Sequence, residues 1–202
     1  NGALVFGIII SITGITTLWL SLNALTAALG LLTLFSYILV YTPLKKRTIA
    51  NTWFGGITGA LPPVMGWTAA KGTLDWEVLP IFALLYFWQL PHFFAIAWIY
   101  RDDYRRSGFK MLSLEDPTGK RTSVQMVFYG GLLFISSTAI FIIGQGSIVY
   151  LLSAVILGLG LLAVIYLFFR ESSVENARKV FLASIIYLPV LSSIIILDRY
   201  LY

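Results

Sequence analysis

Seven long apolar runs occupy most of this 202-residue sequence. A helix that crosses a bilayer needs about 20 mostly apolar residues, and each run is close to that length. Only 11% of the residues are charged, whereas soluble domains have about 25%. We therefore predict an all-α integral membrane protein, multi-pass, with seven transmembrane helices. The predicted spans are Ala3–Leu22, Ala24–Tyr41, Asn51–Ala70, Val78–Tyr100, Val124–Ile143, Ile148–Phe169 and Val180–Leu197.

No water-soluble domain interrupts the spans, and the longest connection covers only residues 101–123. We therefore expect a single domain over residues 1–202. The absence of cysteine excludes disulfides and thiolate metal sites. Apart from His92, the cores of the predicted spans have no Asp, Glu, Lys, Arg or His side chain, which argues against a transporter or channel. A seven-helix receptor remains an alternative by helix count, although the last span has no lysine for a retinal Schiff base.

Basic residues are concentrated in the connections on one side of the predicted membrane. With the N-terminus inside, the inner connections hold twelve of the 14 lysines and arginines, and the outer side holds Lys71 and Arg199. This bias predicts basic loops on the inner side of a bacterial cytoplasmic membrane or a mitochondrial inner membrane. It also accounts for the net charge of +5 without a nucleic-acid partner.

The third predicted span carries Pro62 and Pro63 in its middle, among several glycines. Prolines remove backbone donors and are expected to kink or break a helix. Two interpretations remain open, a packing kink and a kink that also shapes a pocket, because irregular backbone at membrane depth is tolerated inside protein or along a cavity.

Two inner loops have the chemistry of a phosphate site. The second span ends in YTPLKKRT, and the fourth ends in YRDDYRRSGFKM. Lysine and arginine neutralise phosphate oxygens, and carboxylates beside them suit a magnesium ion bridged to phosphate. We expect an amphiphilic diphosphate, with its hydrocarbon among Phe87, Trp88, Phe93, Phe94 and Trp98.

The acidic half of that site is incomplete. Neighbouring carboxylates on a helix point about 100° apart, so Asp102 and Asp103 do not form a two-ligand claw. A second acidic cluster is expected, and the chain has none in a suitable place. Simple pairing with Arg101, Arg105 or Arg106 is the alternative explanation for both aspartates.

Three stretches together resemble the haem O synthases, a branch of the UbiA-type intramembrane prenyltransferases. They are YTPLKKRTIANTWFGGITGALPPVMGW, FWQLPHFFAIAW and YRDDYRRSGFKML. The resemblance implies a nine-helix bundle around a central cavity, with two aspartate-rich regions facing each other at its cytoplasmic mouth. NGALVFG is similar to the start of the third family helix, so we expect this chain to be a fragment that lacks the first two helices and the first aspartate-rich loop.

The resemblance also implies roles for individual residues. Asp103 and, secondarily, Asp102 are the expected metal-binding and catalytic carboxylates. Tyr100 and Tyr104 stand where the wider superfamily has acids. Lys45 and Arg47 are expected to act on the leaving diphosphate. Substrate contacts are expected from Tyr41, Lys46, Asn51, Arg101, Tyr104, Arg105, Trp88, His92 and Trp98.

The implied reaction is Mg²⁺-dependent transfer of a farnesyl group from farnesyl diphosphate to a vinyl group of haem B, which makes haem O. A haem A synthase or terminal oxidase assembly partner would then lie downstream. A related prenyltransferase that acts on a quinone or chlorophyll precursor is the alternative. His92 is either a haem-iron ligand or a hydrogen-bonding residue between two helices.

Overall fold

The computed structural model describes residues 2–201, without the side chains of residues 199 and 201. The described residues form an all-helical bundle without β-strands. Arg199, assigned above to the outer side, therefore has no described side chain. The helices are α1 (Gly2–Ser21), α2 (Ala24–Phe35), α3 (Thr42–Leu44), α4 (Asn51–Lys71), α5 (Leu79–Ile99), α6 (Arg101–Arg106), α7 (Lys120–Ile142), α8 (Ile148–Arg170) and α9 (Val174–Leu201).

Every predicted span corresponds to a long helix. Of the described helices, however, six rather than seven are both long enough and apolar enough to cross a membrane. A π-helical segment, Ser36–Tyr41, joins α2 to α3 in one continuous span. Helix α4 has 21 residues, about 31 Å at 1.5 Å per residue, but it is not apolar enough to qualify on composition within the described chain. Its polarity is accommodated because Asn51, Thr52, Thr58 and Thr68 are all buried.

Of the two expected effects of the prolines, a kink or a break, the break does not occur, because α4 continues through Pro62 and Pro63. Each proline leaves the carbonyl four residues earlier without its usual helical partner. Those carbonyls belong to Thr58 and Gly59, which both line a large groove described below. The prolines therefore modify α4 at the groove, as the pocket-shaping interpretation requires.

Helix α5 is the centre of the bundle. It packs against α4 on one side and against α7 and α9 on the other, while α8 packs between α7 and α9. The fully buried large side chains of this core include Phe94, Met126, Tyr150, Phe168 and Tyr187. Helix α2 packs against α4, and α1 packs against α2. Because α1 has no buried residue, it forms one open wall of the bundle.

Helix–helix hydrogen bonds hold the bundle together at membrane depth. The Ser137 and Tyr187 hydroxyls are 2.5 Å apart, and the Tyr150 hydroxyl donates to the Ser137 carbonyl at 3.0 Å. Thr26 and Thr68 link α2 to α4 with a hydroxyl–hydroxyl distance of 2.8 Å. Each such bond contributes about 0.6–1.7 kcal/mol in a membrane protein. Together the bonds fix the rotation of each helix relative to its neighbours.

Candidate functional site

An apolar groove of about 990 Å³ runs between α1, α2, α4 and α5. Small residues make the space, because Gly14, Gly30, Gly55 and Gly59 leave it without side-chain bulk. Most of the remaining lining is aliphatic or aromatic; the polar exceptions include Ser11, Thr17, Thr33, Thr58 and Gln89. A groove of this size and character fits a long hydrocarbon chain.

The π-helical segment forms the end of the groove that is nearest the basic loops. Tyr37 and Tyr41 both line the groove, with ring centroids 5.2 Å apart. Such π segments are uncommon and occur frequently at functional sites. The Tyr41 ring also packs on Gly55 of α4, where an added Cβ would lie 2.6 Å from its Cε2. The segment therefore places two aromatic rings at the groove mouth.

Lys45 lies directly at this mouth. Its Nζ is 4.3 Å from the centroid of the Tyr41 ring and 5.7 Å from that of Tyr37. Aromatic faces attract a lysine cation and hold it in place. The half-buried Lys45 is therefore a fixed positive charge at the end of an apolar groove, where an anionic group attached to a hydrocarbon chain would come to rest.

Asn51 links the two inner loops. Its Nδ2 donates to the Thr48 carbonyl at 2.7 Å and to the Lys110 carbonyl at 2.5 Å. The Lys110 N–H in turn donates to the Lys45 carbonyl at 2.8 Å. Because Asn51 is 1% exposed and both its N–H donors are occupied, its side-chain nitrogen holds the two loops together.

A small cavity of about 60 Å³ connects these features. It is lined by Tyr41, Asn51, Thr52, Phe93, Tyr104 and Met111. Burial raises the pKa of the Tyr104 hydroxyl above its ordinary value. Tyr104 therefore stays neutral at physiological pH and faces the same space as Tyr41. The predicted substrate contacts Tyr41, Asn51 and Tyr104 are thus brought together around one cavity.

The two aspartates lie in the exposed helix α6. Asp102 accepts a hydrogen bond from Arg105 at 2.7 Å, and Asp103 pairs with Arg106. Their side chains are 79% and 59% exposed. This is the arginine pairing that was the alternative explanation above. Within residues 2–201, no group of three or more acidic or histidine side chains is placed to hold a metal.

Magnesium fits this arrangement only in part. The carboxylates supply hard oxygen donors and are accessible, and Mg²⁺ is usually held by one or two carboxylates together with substrate phosphates. Asp103 and Asp102 are the residues that would hold it. The remaining ligands would have to be water, phosphate oxygens or residues outside this chain, and the arginine pairs would have to rearrange.

The remaining predicted cations differ in position. Lys46 and Arg47 are exposed beside Lys45, and within the described part of the chain neither forms an ion pair. The Arg101 guanidinium lies 4.4 Å from the ring centroid of Trp98, and its buried Nε has no hydrogen-bond partner among the described residues. Arg101 therefore faces the core side of α5, away from the groove.

Most of the aromatic side chains that were predicted to surround the hydrocarbon lie on the side of α5 that faces away from the groove. Of Phe87, Trp88, Phe93, Phe94 and Trp98, only Phe93 lines the groove. The Trp98 ring packs edge-on against Phe168 of α8, with 5.4 Å between centroids. The Trp88 indole donates to the Ser184 carbonyl of α9 at 2.7 Å. Because α5 is apolar all round, the sequence cannot show which side faces the groove.

His92 also faces α9. Its Nδ1 is 2.9 Å from the Ser184 hydroxyl, and its ring stacks between Trp88 and Phe181 with centroid distances of 5.0 and 5.1 Å. The structure thus has the interhelical hydrogen bond that was one of the two interpretations of this residue. Neither His92 nor Trp88 lines the groove.

Tyr37 and Gln89 are among the groove residues that were not predicted from the sequence. Gln89 is 7% exposed; its Nε2 donates to the Leu85 carbonyl at 3.0 Å and makes a longer contact with the Gly56 carbonyl at 3.4 Å. A polar side chain within an apolar span was the available signal for Gln89. For Tyr37, the signal was its position one helical turn before Tyr41.

Comparison with known proteins identifies close relatives. Residues 1–185 match the UbiA prenyltransferase family. A protein of Solibacter usitatus (strain Ellin6076) named protoheme IX farnesyltransferase is 43% identical over 197 residues, covering 98% of this chain and 68% of that protein. A mitochondrial protoheme IX farnesyltransferase of Homo sapiens is 36% identical over 189 residues, covering 94% of this chain and 42% of that protein.

The fold has a counterpart among solved structures. A chain from work on digeranylgeranylglyceryl phosphate synthase in membranes superposes with a TM-score of 0.83, at 20% identity, over 98% of this chain and 69% of that one. At this identity the similarity concerns the fold alone. The chain spans 66–68% of the length of the first two bacterial relatives and 41–42% of the mitochondrial proteins it matches.

Proposed function

Because this chain belongs to the UbiA prenyltransferase family, we propose that its protein transfers a farnesyl group from farnesyl diphosphate to a vinyl group of haem B and so makes haem O. The relatives named protoheme IX farnesyltransferase in bacteria and mitochondria support this choice of substrates. Membership of a prenyltransferase family also removes the transporter and seven-helix receptor alternatives.

The observation that carries the proposal is the combination of a long apolar groove with a fixed cation at its mouth. The farnesyl chain lies along the groove between α1, α2, α4 and α5. The diphosphate lies near Lys45, with Lys46 and Arg47 beside it. The lysine neutralises charge that develops on the leaving diphosphate, which lowers the barrier because the charge is already in place.

The proposed reaction passes through a carbocation, which the groove has to stabilise. As the bond from the allylic carbon to diphosphate breaks, that carbon becomes cationic and the electron-rich vinyl group attacks it. Water then adds to the cation formed on the haem side and loses a proton, leaving a hydroxyethylfarnesyl substituent. The rings of Tyr37, Tyr41 and Phe93 face the groove, and aromatic faces stabilise a desolvated cation by about 2 kcal/mol.

We further propose that the transfer depends on Mg²⁺. Asp103 and Asp102 would hold the ion, in place of their pairs with Arg106 and Arg105. When bound, the ion supplies positive charge to the leaving group.

We place the basic end of the bundle on the inner side of the membrane. The Lys45 carbonyl is bonded to the Lys110 N–H, and Gly119 packs beside Ser172, so the three basic connections share one end of the bundle. A large basic excess favours retention on the inner side. The product is then available at that membrane to a haem A synthase or to terminal oxidase assembly.

The direct test uses full-length protein in membranes, supplied with haem B, farnesyl diphosphate and Mg²⁺. We expect mass spectrometry of the extracted haems to find a farnesylated, hydrated haem, and Asp103→Ala to abolish it. Product that persists in Asp103→Ala would contradict the metal assignment. Prenylation of an added aromatic quinone precursor instead of haem would favour the alternative acceptor.

Lys45 has a matched control in Lys71. The Lys71 ammonium lies 4.1 Å from the ring centroid of Trp67 at the opposite end of α4, so it has the same kind of cation–aromatic contact away from the groove mouth. We expect Lys45→Gln to lower kcat about 100-fold, as loss of a donor to a developing anion does, and Lys71→Gln to leave it unchanged. Equal kcat values would contradict the role of Lys45.

A further inference from the structure

A second cavity lies at the basic end of the bundle, between the start of α4 and the start of α7. It has a volume of about 300 Å³ and is lined by Trp53, Leu112, Lys120, Arg121, Val124 and Gln125. We call it the basic pocket. None of these residues lines the groove or the small cavity, so the basic pocket is separate from the proposed prenyl-transfer site.

The two cations of the basic pocket are uncompensated. Within residues 2–201, neither Lys120 nor Arg121 forms an ion pair. Asp116 lies close by but is 3% exposed, and its oxygens accept hydrogen bonds from Thr118 and Thr122. An anion in the pocket would compensate the two cations.

The pocket continues into an apolar surface along α7. Val124, Phe128 and Ile135 are 47%, 57% and 61% exposed, and their spacing places them on one face of the helix. Trp53 forms the opposite wall and Ile57, one turn further along α4, is 42% exposed. Tryptophan is enriched at the level of lipid headgroups. The positive charge at the end of α7 matches the phosphate headgroup of a phospholipid, and the apolar surface below it matches the acyl chains.

We propose that the basic pocket binds the phosphate headgroup of an anionic glycerophospholipid, with its acyl chains along the exposed face of α7. Lys120 and Arg121 contact the phosphate, the Gln125 amide donates to headgroup oxygens, and Trp53 packs against the glycerol region. The apolar face favours a lipid over a free phosphate, because a soluble anion gains nothing from Val124 and Phe128.

Native mass spectrometry of the full-length protein in detergent tests this proposal. The protein is titrated with phosphatidylglycerol and, separately, with phosphatidylcholine of the same acyl chains. We expect one tightly retained phosphatidylglycerol that Lys120→Gln/Arg121→Gln weakens about 30-fold, since each basic residue near an anionic lipid contributes a factor of about five. Val124→Asp, which adds a carboxylate beside the cations, should weaken the same adduct in a protein that keeps both basic residues.

The matched control is Arg178→Gln/Lys179→Gln. It removes two exposed basic residues from the start of α9, at the same end of the bundle but outside the pocket, and we expect it to retain the phosphatidylglycerol adduct. Equal weakening in both double variants would overturn the proposal in favour of general surface charge. Equal retention of phosphatidylcholine, or displacement of the lipid by millimolar glycerol 3-phosphate, would also overturn it.

Discussion

At the scale of single residues, His92 and Trp88 are both held by Ser184. The hydroxyl of Ser184 bonds to His92 and its carbonyl accepts from Trp88, so one position on α9 fixes the rotation of α5. This arrangement accounts for a histidine in an apolar span without involving haem iron. It also turns the side of α5 that carries Gln89 and Phe93 toward the groove.

We expect His92→Ala to destabilise the protein and to leave its interaction with haem unchanged. Loss of the hydrogen bond and the aromatic stacking costs about 1–3 kcal/mol, which a lower Tm in detergent would report. The Soret band on haem addition should match that of the wild type. Loss of the Soret shift in a folded His92→Ala protein would instead identify His92 as an iron ligand.

Asp116 makes the loop before α7 sensitive to acid. Burial alone would raise the pKa of its carboxyl group, but the hydrogen bonds from Thr122, Arg121 and Thr118 outweigh it and lower the pKa below its ordinary value. Because the folded pKa is below the unfolded one, the stabilisation is complete above the unfolded pKa, about 3.9. It is lost as the pH falls through the folded pKa.

The test compares Asp116→Asn with Glu115→Gln, a neutralisation of the exposed neighbouring residue. We expect Asp116→Asn to cost about 1.5–3 kcal/mol near neutral pH and the difference from the wild type to shrink below about pH 4. Glu115→Gln should have no effect on Tm. A difference for Asp116→Asn that grows on acidification would contradict the assigned direction of the pKa shift.

At the scale of elements, α4 and α5 approach closely because α4 presents glycines to α5. A Cβ on Gly56 would lie 3.0 Å from the Tyr86 ring, and one on Gly59 would collide with the Gln89 amide. Small residues allow such contact between membrane helices. The same closeness gives Gln89 its contacts with α4 and sets the width of the groove between the two helices.

We expect Gly56→Leu to separate α4 from α5 and to cost about 1–3 kcal/mol, the range for overpacked interiors. Gly131 in α7 is the matched control, because a Cβ there meets nothing within 4 Å. Gly131→Leu should therefore leave Tm close to that of the wild type. Equal Tm values for the two variants would show that Gly56 is not a close-packing position.

The bounds of the helices were predicted from the sequence more accurately than the residues that each helix contacts. Ile148–Phe169 was predicted and α8 covers Ile148–Arg170, because hydropathy follows the lipid-embedded length. Helix α9 begins at Val174, six residues before its predicted start, since its first turn is charged but still helical. The π-helical segment and the contact of Asn51 with Lys110, 59 residues away, depend on tertiary packing and left no local signal.

At the scale of the whole molecule, the site divides into two chemically distinct halves. The apolar groove lies within the bundle, and the charged residues lie in loops that Asn51 and Lys110 join at one end. The acidic residues remain tied to arginines in α6. The groove, rather than the aspartates, is therefore the part of the proposed site that is already formed in this structure.

Helix α1 offers a way to block the groove without disturbing the bundle. Gly14 lines the groove, yet a Cβ there meets nothing within 4 Å. Phenylalanine at this position would occupy the space proposed for the farnesyl chain. Gly7 lies two turns earlier on the same helix, is equally open and does not line the groove. Gly7→Phe therefore adds the same bulk to α1 away from the proposed site.

The decisive measurement is the yield of farnesylated haem from full-length Gly14→Phe and Gly7→Phe proteins in membranes, read by mass spectrometry. We predict that Gly14→Phe lowers the yield from farnesyl diphosphate at least tenfold, since transfer requires the chain to lie in the groove, and that the shorter geranyl diphosphate is affected less. Gly7→Phe should match the wild type. A Gly14→Phe protein that transfers farnesyl as well as the Gly7→Phe control would contradict the assignment of the groove to the prenyl chain.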